Sequence, residues 1–197
     1  MLKDYLKYFI GFFITVGLII ALIIIIFGGN GGGGQKTQTN SDADKTLNSL
    51  ADTDTKVRTT IQGPINAEQV HEQIRITIDR ENNNFEFIRG YENNVVDSQN
   101  FVSNEIAFTN FLHALTNAGF GQGDDSDALA DERGSCPFGQ RYIFEIIENG
   151  KVTSRYWSTD CGNKTGSYLG NTFVTLDLFK AQIPNYDELT DQAESVN

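Results

Sequence analysis

From Tyr8 to Phe27 the chain reads YFIGFFITVGLIIALIIIIF, twenty residues without a charge. A helix of that length spans about 30 Å, the hydrocarbon thickness of a bilayer. A buried core helix is the alternative, but the domain that remains is too small to cover such a rod on every side. Residues 8–27 are therefore read as a transmembrane helix in contact with the lipid bilayer. Gly11 and Gly17 are not spaced as GxxxG, so they indicate no dimer face. Lys3 and Lys7 precede the run, opposed by Asp4, and the next cation is Lys36. The positive-inside rule then makes residues 1–7 a cytoplasmic tail and puts the rest of the chain outside the cell membrane. A cleaved signal peptide would have a shorter apolar region and an A-x-A-like site, which does not follow Phe27. The expectation is an uncleaved single-pass signal-anchor.

Residues 28–34 are GGNGGGG, and polar sequence continues to Gly63. Residues 28–63 are read as a flexible linker reaching about 30–35 Å on random-coil scaling. Its sparse hydrophobes, Leu47, Leu50, Val57 and Ile61, are enough for a short helix or a first strand. The net charge of −11 argues against nucleic acid, which clustered Lys and Arg would have to neutralise.

Residues 64–190 carry the patterning of one α+β extracytoplasmic domain, with 191–197 as a disordered tail. Ile74, Ile76 and Ile78 alternate with polar residues as in a half-buried strand. Asn82–Asn84 suit a turn, and Phe85 and Phe87 suit a returning strand. Ser103 is placed as an N-cap for a helix bearing Ile106, Ala107, Phe111, Leu112, Leu115 and Ala118, which Gly119 ends. Tyr142, Phe144 and Ile146 then alternate, Asn149-Gly150 signals a tight turn, and KVTSRYW returns. Phe173, Leu176 and Phe179 begin a second helix that stops before Pro184. The predicted fold is ββαββα: a four-stranded antiparallel sheet with two helices on one face.

Cys136 and Cys161 are the only cysteines, and they bracket the second hairpin. Outside the cytoplasm an even pair reads as a disulfide bond. The competing reading is catalytic, because STDCG around Cys161 resembles the TLxTC strand of sortases. That chemistry uses a Cys nucleophile with an upstream His and a downstream Arg. His113 lies upstream, but no Arg follows Cys161.

Asp124, Asp125, Asp127 and Asp131 crowd one loop and are a candidate calcium set, although the EF-hand spacing fails. A solvated acidic loop is the plainer reading, so no metal is assigned. His71 and His113 lack metal-ligand spacing, and no GxSxG, Walker or HExxH motif occurs, so neither catalytic residues nor a cofactor are expected. Asn163-Lys164-Thr165 fits a glycosylation sequon. The candidate binding surface is Arg141, Tyr142, Arg155, Tyr156 and Trp157, where aromatic and Arg side chains from two paired strands share faces.

The stretches QGPI, IRITI, AFTNFLHALTNAGF, DERGSCPFGQRYIFE, RYWSTDCG and FKAQIPNYDEL resemble uncharacterised single-pass membrane-anchored proteins of candidate-phylum, Saccharibacteria-like bacteria. The resemblance runs along nearly the whole chain and implies placement, with no activity and no site residues. The expectation is a membrane-tethered binding or cell-envelope-organising module without catalytic activity, meeting an envelope or cell-surface protein or glycan. The alternatives are a carboxylate-dependent hydrolase of envelope substrates, or an inhibitor of a foreign hydrolase acting through the 121–135 loop.

Overall fold

The structure is a computed structural model, and it describes Leu47, residues 54–162 and residues 166–195. The expected membrane span 8–27, most of the expected linker, the sequon at 163–165 and residues 196–197 lie outside the described residues. Among the described residues no helix is long and apolar enough to cross a membrane.

Six strands form one antiparallel sheet: β1 (Thr55–Gln62), β2 (Glu72–Ile78), β3 (Asn82–Arg89), β4 (Asn94–Val102), β5 (Arg141–Glu148) and β6 (Lys151–Thr159). Their order across the sheet is β4-β3-β2-β1-β5-β6. Among the described residues three α-helices accompany the sheet: α1 (Glu105–Asn117) after β4, then α2 (Thr172–Lys180) and α3 (Tyr186–Ser195) after β6. The expected ββαββα fold with four strands and two helices is therefore wrong. β1, β4 and α3 are the additions.

β1 comes from the segment read as linker, yet it lies between β2 and β5. Val57, Thr59 and Ile61 face the core and are buried. A threonine in the middle position is β-branched and fits the pleat while hiding the apolar alternation. Among the described residues β4 pairs with β3 alone, and it is mostly exposed, as an edge strand can be. The expected turn at Asn82–Asn84 is strand instead. The chain reverses one step earlier, where Asp79 Oδ1 accepts from the Glu81 and Asn82 amides at 2.9 and 2.8 Å.

The N-cap of α1 is Asn104, not Ser103: its Oδ1 accepts from the Ala107 amide at 3.0 Å. Gly119 stops the helix at φ +82°, a left-handed conformation that glycine takes without strain. Phe108, Phe111, Leu112 and Leu115 form its buried stripe, whereas Ile106 and His113 are exposed. In α2, Asn171 caps the Val174 amide, and Leu176 and Phe179 are buried, but Phe173 stands 62 % exposed. α3 places Tyr186, Leu189 and Ala193 on the core at i, i+3 and i+7. The helix thus occupies most of the expected disordered tail.

One sheet face and all three helices enclose the core, which includes Leu47, Ile76, Phe85, Phe87 and Phe144. The Phe179 ring meets Phe111 at 5.2 Å and Phe120 at 5.7 Å, the offset geometries that aromatic quadrupoles favour. The opposite sheet face is different in kind. It is crossed by rows of polar and charged side chains.

Candidate functional site

Cys136 and Cys161 form a disulfide with their Cα atoms 5.7 Å apart. It closes the open end of the β5–β6 hairpin, whose other end turns through Asn149 and Gly150 at φ +51° and +76°. The clamped loop is fastened to the β1–β2 connection, because the Ile65 amide donates to the Pro137 carbonyl at 2.8 Å. The bond therefore fixes two loops at one end of the sheet.

The five residues expected to form one binding surface are split between the two faces. Tyr142 and Tyr156 point toward the helices, and Tyr142 is buried there. Arg141, Arg155 and Trp157 lie on the opposite face by strand alternation. Trp157 is covered, with Nε1 donating to the Leu129 carbonyl at 2.6 Å. Arg155 alone of the five lines an open hollow.

That hollow has a volume of about 230 Å³ and is built from two cross-strand rows. Arg155 on β6 stands opposite Glu145 on β5, which stands opposite Arg58 on β1. Arg58 Nε donates to Glu145 Oε2 at 2.7 Å, while Arg155 lies 3.7 Å from Oε1 and donates to Glu132 at 2.7 Å. In the next row, Ile143 faces Thr60, Thr60 faces Arg75, and Arg75 faces Glu86. The Arg75–Glu86 contact is long, 3.4 Å, and Arg75 Nε is buried without a hydrogen-bond partner. Opposite charges directly across strands stabilise a sheet, and here they also hold guanidiniums in a fixed array.

At the end of the hollow, Arg141 is 2 % exposed. It donates to Gln62 Oε1 at 3.1 Å and to the Gly63 carbonyl at 2.8 Å, while Nη1 has no partner. Burial pulls this guanidinium below its ordinary value, against the Tyr91 phenol and the Glu132 carboxylate. His71 is fully buried, and its Nδ1 lies 3.0 Å from the Pro64 carbonyl, which can only accept, so Nδ1 carries the proton. The imidazole stacks on Tyr91 with centroids 4.0 Å apart and planes 10° apart. The Tyr91 hydroxyl donates to the Asn66 carbonyl at 2.8 Å. The ring is thus held at two points while remaining 47 % exposed.

The 121–135 loop is a strap across β6, not a protrusion. Gly123 bridges Tyr168, and the Tyr156 hydroxyl donates to Asp125 at 2.9 Å. Leu129 and Glu132 hold Trp157 and Arg155. The candidate calcium residues do not converge. Asp124 accepts from the Ser126 amide, Asp125 from Tyr156, and Asp131 pairs with Arg133, while Asp127 begins a 3-10 turn. Hydrogen bonds from Arg133 hold the Asp131 carboxyl down at about 2. Among the described residues, Cys136, Asp160 and Cys161 bring three ligand-type atoms within 4.8 Å, and the disulfide ties up both sulfurs.

A wider bowl of about 770 Å³ sits where β1 begins and the Asp79–Asn82 turn meets Glu105. Its two cations are already paired, Lys56 with Asp79 at 2.9 Å and Arg80 with Glu105 at 2.7 Å, and Asp54 and Glu81 leave the lining net acidic. The smaller hollow keeps unpartnered donors, so it is the stronger candidate.

Comparison with protein-family models, with curated proteins and with solved structures finds no match. Arg58, Arg75 and Tyr91 were not singled out from the sequence. The signal available was an Arg at the outward position of two strands, TKVRTTIQ and EQIRITI.

Proposed function

We propose that this protein is a membrane-tethered binding module that holds its domain outside the cell through residues 8–27 and meets the envelope with the polar face of its sheet. The observation that carries the reading is the Arg58–Glu145–Arg155 row beside Arg75, whose Nε is unpartnered, lining a hollow on the face opposite the helices. Fixed guanidiniums with spare donors suit recognition of a polar ligand. A disulfide at the same end of the sheet suits an oxidising compartment outside the cytoplasm.

Binding without turnover is part of the proposal. Glu145 and Glu132 are the buried carboxylates beside the hollow, and each is bonded to a guanidinium. Both carboxylates are thereby committed to holding the guanidiniums in place.

The test uses the full-length protein in detergent, mixed with envelope fragments and sedimented. The expected result is co-sedimentation that Asn93→Trp, a side chain placed to obstruct the hollow, weakens. Protein left in the supernatant, or soluble sugar or peptide products released from the fragments, would overturn the proposal. Released products would point to the hydrolase alternative.

A further inference from the structure

We propose that the hollow receives the carboxylate of an acidic sugar, with the anionic group among the guanidiniums and the sugar ring on Tyr91. This inference rests on the reading of the polar sheet face as the binding surface, and adds the ligand class.

The chain carries a net charge of −11, yet Arg58, Arg75 and Arg155 line the hollow with Glu145 as the acidic residue in its wall, while Glu86 and Glu132 pair with Arg75 and Arg155 from beside it. Arg75, which lines the hollow, has its Nε buried and unpartnered. Buried donors left unpaired are costly, and an incoming carboxylate supplies acceptors for them. A divalent phosphate suits the place less well. Glu86 and Glu132, each paired to an Arg of the hollow, stand beside it and repel a second negative charge.

The choice of a sugar over a peptide follows from the rest of the lining. Tyr91 is braced by His71 on one ring face, which leaves the other for the C–H face of a pyranose. Gln62 accepts from Arg141 through Oε1, so its NH₂ remains a donor. Gln73 donates to the Gly90 carbonyl at 2.7 Å, so its Oε1 remains an acceptor. Such fixed donors and acceptors match hydroxyl groups, which do both. An extended peptide would instead seek free backbone groups at a sheet edge. The hollow lies over β1, β2 and β5, each of which is paired on both sides, and takes only the Arg155 side chain from the edge strand β6.

Isothermal titration of the full-length protein in detergent tests this with three probes: trigalacturonic acid, its fully methyl-esterified form and triglutamate. The native protein is expected to bind the acid, and the neutral ester about tenfold more weakly, the scale of one charge-assisted contact. Arg75→Gln and Tyr91→Leu are each expected to weaken the acid by about tenfold, with Ile106→Ala, on the helix side, unchanged. The ester comparison needs no variant, so a folding defect cannot imitate it. Absence of heat with trigalacturonic acid, equal binding of the ester, or triglutamate binding as tight as the sugar would overturn the inference. If the protein still sediments with envelope fragments, the sugar-acid assignment alone falls. If it does not, the binding-face reading falls with it.

Discussion

Burial holds the His71 imidazole below its ordinary value of 6.5, helped by Arg141 and opposed by the Pro64 carbonyl and Glu68. The unfolded chain therefore takes up a proton at a pH where the folded one does not, and stability falls as pH drops through that window. Melting of the full-length protein is expected to shift downward as the pH falls below 6.5, and His71→Gln to flatten the dependence. Equal slopes in the two proteins would remove His71 as the cause. At the opposite face, Phe179 is fully buried between Phe111 and Phe120. Phe179→Ala is expected to cost about 3–5 kcal/mol in denaturant unfolding, with a value below about 1 kcal/mol contradicting the packing described. Single residues were unevenly legible. Arg155 was recognisable as a candidate from its company of aromatics. Arg58 and Arg75 became significant only through register, since nothing local in TKVRTTIQ says that Glu145 lies across from Arg58.

The disulfide constrains a loop with a sequence separation of 25, and the chain-entropy model values such a closure at about 3.5 kcal/mol. Cys136→Ser with Cys161→Ser is expected to lose stability on that scale; an unchanged denaturant midpoint would contradict a structural role. The 121–135 strap depends on Gly123, where an added Cβ would collide with the Tyr156 ring. Gly123→Ala is expected to lift the strap and speed proteolysis within 124–133, and an unaltered cleavage rate would count against the contact. Elements with strong periodicity could be read directly: the IRITI strand, the helix through Phe111 and Leu115, and the Asn149-Gly150 hairpin. β1 was hidden because Thr59 occupies an inward position, and β4 because an edge strand bonded on one side needs little apolar patterning. α3 had Tyr186, Leu189 and Ala193 at helical spacing, but three modest contacts in an acidic segment resemble a frayed end.

At the scale of the whole molecule, the sheet of the described residues has a helix-backed apolar side and an opposite side that carries the charged rows and is partly covered by the 121–135 strap. A strongly acidic protein that concentrates guanidiniums in one hollow is expected to bind there with marked salt dependence, because exposed charge pairs are screened. Affinity for envelope fragments unchanged between low and high salt would contradict an ionic contact. The most direct measurement is hydroxyl-radical footprinting of the full-length protein with and without those fragments. Tyr91, Phe173 and Ile106 are all exposed, the first on the polar side and the others on the helix side. The account expects Tyr91 to become protected while Phe173 and Ile106 react as before. Protection of Phe173 and Ile106 with Tyr91 still fully oxidised would place the contact on the helices and contradict it.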